Sequence, residues 1–126
     1  MIEGTLTKGL GEGAFFMSIP HYKKQIKDKL GFDAYPGTLN IKIAGNPQKQ
    51  LDLLKKADTI RIDGHKSAGT EFGGAVCYRA RIENTRGAII VPDLTKHKNT
   101  VEFIAPVHLR SSLNLKEGQK IKVDLK

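Results

Sequence analysis

Alternation between apolar and polar residues dominates the chain. It is clearest in Ile2-Glu3-Gly4-Thr5-Leu6-Thr7 and in Thr38-Leu39-Asn40-Ile41-Lys42-Ile43. Successive side chains on a strand point to opposite faces, so each run predicts a strand with one apolar face. The same reading gives strands at 15–19, 59–62, 75–83, 88–91, 101–105 and 120–125. In the longest of them Val76, Tyr78, Ala80 and Ile82 share a side, and in 101–105 the neighbours Glu102 and Phe103 take opposite sides. The period changes over 20–30, where Tyr22, Ile26 and Leu30 recur every four residues and predict a helix. Ser18 is its expected cap, Pro20 suits its first turn and Gly31 stops it. Lys23, Lys24, Lys27 and Lys29 read as its solvated face, and His21 as a surface residue. A second helix is expected at 48–57, with Leu51 and Leu54 inward and Asn46 as cap, and a helical turn runs from Pro106 to about Leu113.

Turn residues punctuate these elements at Pro36-Gly37, at Asp63-Gly64, which reads as a hairpin turn, and at Asn84-Thr85-Arg86-Gly87. Segments 66–74 and 93–100 read as loops. The result is seven or eight short strands with two or three short helices, a spacing that predicts a mainly β fold closed into a small barrel. Helices would plug or flank its ends, and loops would carry the function.

Composition narrows this picture. The 126 residues suit a single domain with one moderate core, 39% are hydrophobic, and no apolar run approaches membrane-spanning length. Met1-Ile2-Glu3-Gly4 lacks the basic start and apolar stretch of a signal peptide. The single cysteine, Cys77, excludes an internal disulfide and a cysteine-based metal cluster, and its alternating surroundings predict a packed thiol. Together these point to the cytoplasm, with no membrane partner. The net charge of +8 calls for an anionic partner: nucleic acid, nucleotide or another phosphate compound. With no Trp, five Phe and three Tyr, a broad base-stacking platform is poorly supplied.

Two stretches carry candidate chemistry. Thr38 and Asn40, two apart on a strand, emerge side by side at the mouth of a turn. A hydroxyl and an amide oxygen there suit a hard cation such as Mg²⁺, which draws the rest of its shell from water and phosphate; the same residues would also serve a plain hairpin corner. Gly9, Gly11 and Gly13 let the backbone turn tightly and aim N–H groups at an anion. No helix is expected directly after them and no Gly-Lys-Ser/Thr follows, so neither the dinucleotide fingerprint nor the P-loop is met; a bulged hairpin loop is the other reading.

Gly9-Leu10-Gly11-Glu12-Gly13, Pro36-Gly37-Thr38-Leu39-Asn40, Gly87-Ala88-Ile89-Ile90-Val91-Pro92 and Ile104-Ala105-Pro106-Val107-His108-Leu109-Arg110 occur in this order. With them the chain resembles the archaeal CTP-dependent riboflavin kinases from Ile2 to about Val123. The resemblance implies a six-stranded cradle-loop barrel of the RIFT type and the reaction riboflavin plus CTP giving FMN plus CDP with Mg²⁺, Mn²⁺ and Zn²⁺ being other ions to consider. It implies a nucleotide site at Leu10, Gly11, Glu12, Gly13, Ala14 and Phe15, completed by Val107, His108, Leu109 and Arg110, with backbone contacts alone at Ala14. It implies metal ligands at Thr38 and Asn40, and flavin contacts at Thr95 and Glu102. Glu102 would orient or deprotonate the attacking hydroxyl, and Arg110 would meet phosphate or cytidine. Some family members carry an N-terminal winged helix-turn-helix; this chain is expected to start at the kinase domain and to act as a monomer.

A different class competes. Small basic barrels include DNA-binding transcription regulators, and the net charge and the lysine-rich helix fit one. Against it, the basic residues do not cluster on one expected face, and a DNA binder has no need of Thr38 and Asn40 beside a glycine loop. Nucleic acid is therefore not the expected partner.

Overall fold

A computed structural model describes residues 2–8, 17–35, 37–45, 47–54, 56–67, 69–92 and 99–125. The alternating runs form the wall of a barrel. β1 (Ile2–Thr7), β2 (Leu39–Ile43), β6 (Ala75–Ile82), β7 (Thr85–Pro92), β8 (Thr100–Ile104) and β9 (Lys120–Leu125) follow one another round it as β6-β7-β8-β2-β1-β9. β9 then pairs with β6 through Ala80↔Leu125 and Arg81↔Asp124, which closes the ring; every pairing is antiparallel. Closure removes the exposed edges that an open sheet of this size would present.

The period-two pattern explains the interior. Ile2, Leu6, Leu39, Ile41, Ile43, Ile89, Val101, Phe103, Ile121 and Val123 all point inward and are buried in one cluster. Leu54 from α2 (Pro47–Leu54) and Leu109 from α3 (Leu109–Ser112) join the same cluster, so the two short helices contribute to the barrel's core.

A second core lies outside the barrel. α1 (Pro20–Leu30) lays Tyr22, Ile26 and Leu30 over Cys77, Ala88, Ile90 and Ile104, the outward residues of β6, β7 and β8. β3 (Ile60–Ile62) extends this layer by pairing with Ala75–Cys77 of β6, with Ile62 fully buried. The first half of β6 is therefore covered on both faces. α1 begins at Pro20 with Ile19 as its N-cap and no side-chain cap, so Ser18 does not take the expected role; Gly31 ends it at φ 86°, in the left-handed region that glycine adopts freely.

Four further expectations are corrected. Residues 17 and 18 are helical rather than extended, because Met17 turns into the second core instead of pairing with a strand. Asp63-Gly64 does not make a hairpin: β3 pairs with β6, while β4 (His65–Ser67) pairs with β5 (Thr70–Phe72) in a small sheet within the segment expected to be a loop. The β6–β7 turn falls at Glu83-Asn84, and Thr85 to Gly87 already belong to β7. Gly87 serves close approach rather than a turn, since a Cβ there would strike the carbonyl oxygen of Ile104. The second helix ends at Leu54, three residues early. Asn46 and the Leu51 side chain lie outside the described set. No helix among the described residues is long and apolar enough to cross a membrane.

Candidate functional site

The site is set by the register of β2 between β1 and β8. Leu39 and Ile41 turn into the barrel, which sends Asn40 to the outer face. Asn40 stands opposite Thr7 of β1 on one side and opposite Glu102 of β8 on the other. Directly opposed residues share a face, so the three side chains line one strip of the outer wall. Thr38, just ahead of β2, joins them: its Oγ1 donates to Glu102 Oε1 at 2.9 Å. All of Thr7, Thr38, Asn40 and Glu102 are half-buried. The strip offers hydroxyl, amide and carboxylate oxygens, a donor set of hard ligands that fits Mg²⁺.

Thr38 also lines a cleft of about 280 Å³. Its other walls are Tyr35 and Gly37 from the approach to β2, Leu39, Phe103 and Ala105, and the whole run Val107, His108, Leu109 and Arg110. The approach to β2 is tied to the exit of β8 by Tyr35 N–H donating to Ala105 O at 2.8 Å. The Tyr35 and His108 rings lie 5.0 Å apart and tilted by 32°. His108 Nδ1 and Ser111 Oγ share a hydrogen bond of 2.7 Å, which fixes the imidazole on the first turn of α3. Tyr35 and Val107 are each about two-fifths exposed at the cleft, at 40% and 41%. An exposed aromatic ring beside a half-buried arginine suits a planar ligand that also carries charge.

Of the residues singled out in the sequence, Thr38, Val107, His108, Leu109 and Arg110 therefore share one cleft, and Asn40 and Glu102 adjoin it through Thr38. Leu10, Gly11, Glu12, Gly13, Ala14 and Phe15 lie outside the described residues, as does Thr95. Their flanks are placed: Thr7 leads into the glycine segment from beside Asn40, and Met17 leaves it buried under α1. Pro92 and Asn99, the flanks of Thr95, lie at the opposite end of the β2–β8 ladder from Thr38; Asn99 O accepts from Ile43 N–H at 2.7 Å. Sequence reasoning missed Thr7 and Tyr35. Thr7 was signalled by the alternation of β1, but its neighbour is fixed only by strand register. Tyr35 precedes the Pro-Gly turn and had no periodicity to mark it.

Comparison with known proteins gives a consistent result. The family model named for CTP-dependent riboflavin kinases, described as "Domain of unknown function DUF120", matches residues 6–125. The chain is 40% identical over 126 residues to a riboflavin kinase of Methanosarcina mazei, covering 99% of this chain and 56% of that protein. It is 43% identical over 120 residues to a riboflavin kinase of Picrophilus torridus, covering 95% and 54%. It is 42% identical over 125 residues to a riboflavin kinase of Pyrococcus abyssi, covering 98% and 58%. The chain thus spans little more than half the length of these curated relatives.

Proposed function

The chain belongs to the riboflavin kinase family, and from that premise we propose that it transfers the γ-phosphoryl group of CTP to the 5′-hydroxyl of riboflavin. The new bond joins the ribityl oxygen to the γ-phosphorus, the bond from that phosphorus to the β-phosphate oxygen breaks, CDP leaves, and the hydroxyl proton is released. Phosphoryl transfer asks a protein for alignment and charge neutralisation more than for covalent chemistry.

The observation that carries this reading is that Thr38 belongs to two sets at once. It lines the cleft with Val107–Arg110, and it is bonded to Glu102 beside Asn40. In this reading the cleft takes the nucleotide, with the Tyr35–His108 pair offering an aromatic face and Arg110 a cation for phosphate. Backbone N–H groups of Leu10 to Phe15 cradle the phosphates. Thr38 and Asn40 hold Mg²⁺ with neutral oxygens, so the ion keeps its positive charge for the substrate. A bound Mg²⁺ supplies charge neutralisation to the transferring group. Glu102 and Thr95 meet the flavin, and the Glu102 carboxylate orients the acceptor hydroxyl.

The test is incubation with riboflavin, Mg²⁺ and each of CTP, ATP, GTP and UTP, followed by chromatography for FMN. The expected result is FMN with CTP at a rate at least about tenfold above the others, since a pocket that satisfies cytosine's polar edge leaves groups unpaired with another base. FMN formed from ATP alone would overturn the donor; FMN from none of the four would overturn the activity.

A further inference from the structure

We infer that Glu102 is the positioning residue for Thr38, holding its hydroxyl so that the oxygen's lone pairs face the cation. The inference rests on the reading of Thr38 and Asn40 as cation ligands and goes beyond it. A threonine hydroxyl has one proton and two lone pairs, and it can serve as a ligand only with the proton turned away from the metal. An unrestrained hydroxyl rotates and spends part of its time with the proton toward the ion. Here the proton is committed: Thr38 Oγ1 donates to Glu102 Oε1 at 2.9 Å across a sequence separation of 64 residues. A carboxylate accepts only, and such a charge-assisted bond is about twice as strong as a neutral one. It holds the side chain's rotamer and raises electron density on the ligating oxygen, as outer-shell carboxylates do for other metal ligands.

The register makes the arrangement rigid. Glu102 is directly opposite Asn40, and its neighbour Phe103, opposite Leu39, is locked in the barrel core with 1% of its surface exposed. One carboxylate on β8 therefore lies behind Thr38 and directly beside Asn40 on β2. A carboxylate engaged with Thr38 can align an acceptor hydroxyl without having to remove its proton.

The test uses Mn²⁺ as the probe, titrated into the protein with CDP present and riboflavin absent, with free Mn²⁺ read by electron paramagnetic resonance. Glu102→Gln is nearly isosteric but presents either an N–H or a weaker neutral acceptor to the hydroxyl. It is expected to weaken Mn²⁺ binding by roughly 10- to 100-fold. Thr38→Val should do the same, Thr38→Ser should retain binding, and the double variant Thr38→Val/Glu102→Gln should bind no worse than Thr38→Val alone. Circular dichroism checks that each variant is folded. Wild-type affinity in Glu102→Gln, or full additivity in the double variant, would overturn the inference and leave the cation site standing. Failure of the wild type to bind Mn²⁺ with CDP would overturn both the inference and the cation site.

Discussion

Gly87 sits inside a strand, where glycine ordinarily costs stability. Its place is explained by what surrounds it: an added Cβ would collide with the backbone oxygen of Ile104 and lie 2.8 Å from the Phe103 ring. Backbone cannot step aside cheaply, so Gly87→Ala should lower stability by about 2 kcal/mol or more, read as a fall in the urea midpoint. An unchanged midpoint would mean that β7 and β8 can part without cost. At this scale the sequence carried half of the site. Period two placed Thr38 and Asn40 on one face, because neighbours two apart on a strand must share it. It could not show that Thr38 bonds Glu102, because that contact depends on how β2 and β8 are aligned, and register between strands 64 residues apart leaves no local signature. Thr7 was missed for the same reason, and Tyr35 because no periodicity marks it.

Elements with strong local signals were legible. Pro20, the four-residue apolar spacing and Gly31 marked both ends of α1 correctly. What the helix covers was not, since Cys77, Ala88 and Ile90 look like ordinary strand residues until α1 is laid over them. At its start α1 is tied down by the Tyr22 hydroxyl, which donates to Gly73 O at 2.6 Å from a fully buried side chain, and by His21 Nε2, 3.1 Å from Asp63 O. Tyr22→Phe keeps the packing and removes the bond. It should cost about 1–2 kcal/mol and speed amide exchange along α1, measured by hydrogen–deuterium exchange. Exchange unchanged in α1 would show that the Tyr22 bond does not hold it. The β4–β5 pair was read as loop because its strands are three residues each, too short for alternation to show.

For the whole molecule, closure into a small barrel was expected from the strand spacing, whereas its seam between β6 and β9 and the second, outer core were not. That core holds Cys77, whose thiol burial pushes up to about 12, against a smaller opposing effect of the Lys29 charge. Unfolded, the thiol ionises near about 8.5. The folded pKa is the higher one, so the stability gained by keeping the thiol neutral is complete below about pH 8.5 and drains away as the pH rises toward 12. Between about pH 7.5 and 10, wild type should lose about 2 kcal/mol more than Cys77→Ala in urea titrations; parallel losses would place the thiol in contact with water. Strand register sets Thr38 and Asn40 beside Glu102, and we propose that their oxygens hold the cation for phosphoryl transfer. The most direct measurement is the rate of FMN formation from riboflavin and CTP across a Mg²⁺ titration, for wild type and Asn40→Ala. The variant is expected to lose about 100-fold or more at limiting Mg²⁺ and to recover in part as Mg²⁺ rises. A variant within a few-fold of wild type at limiting Mg²⁺ would contradict it.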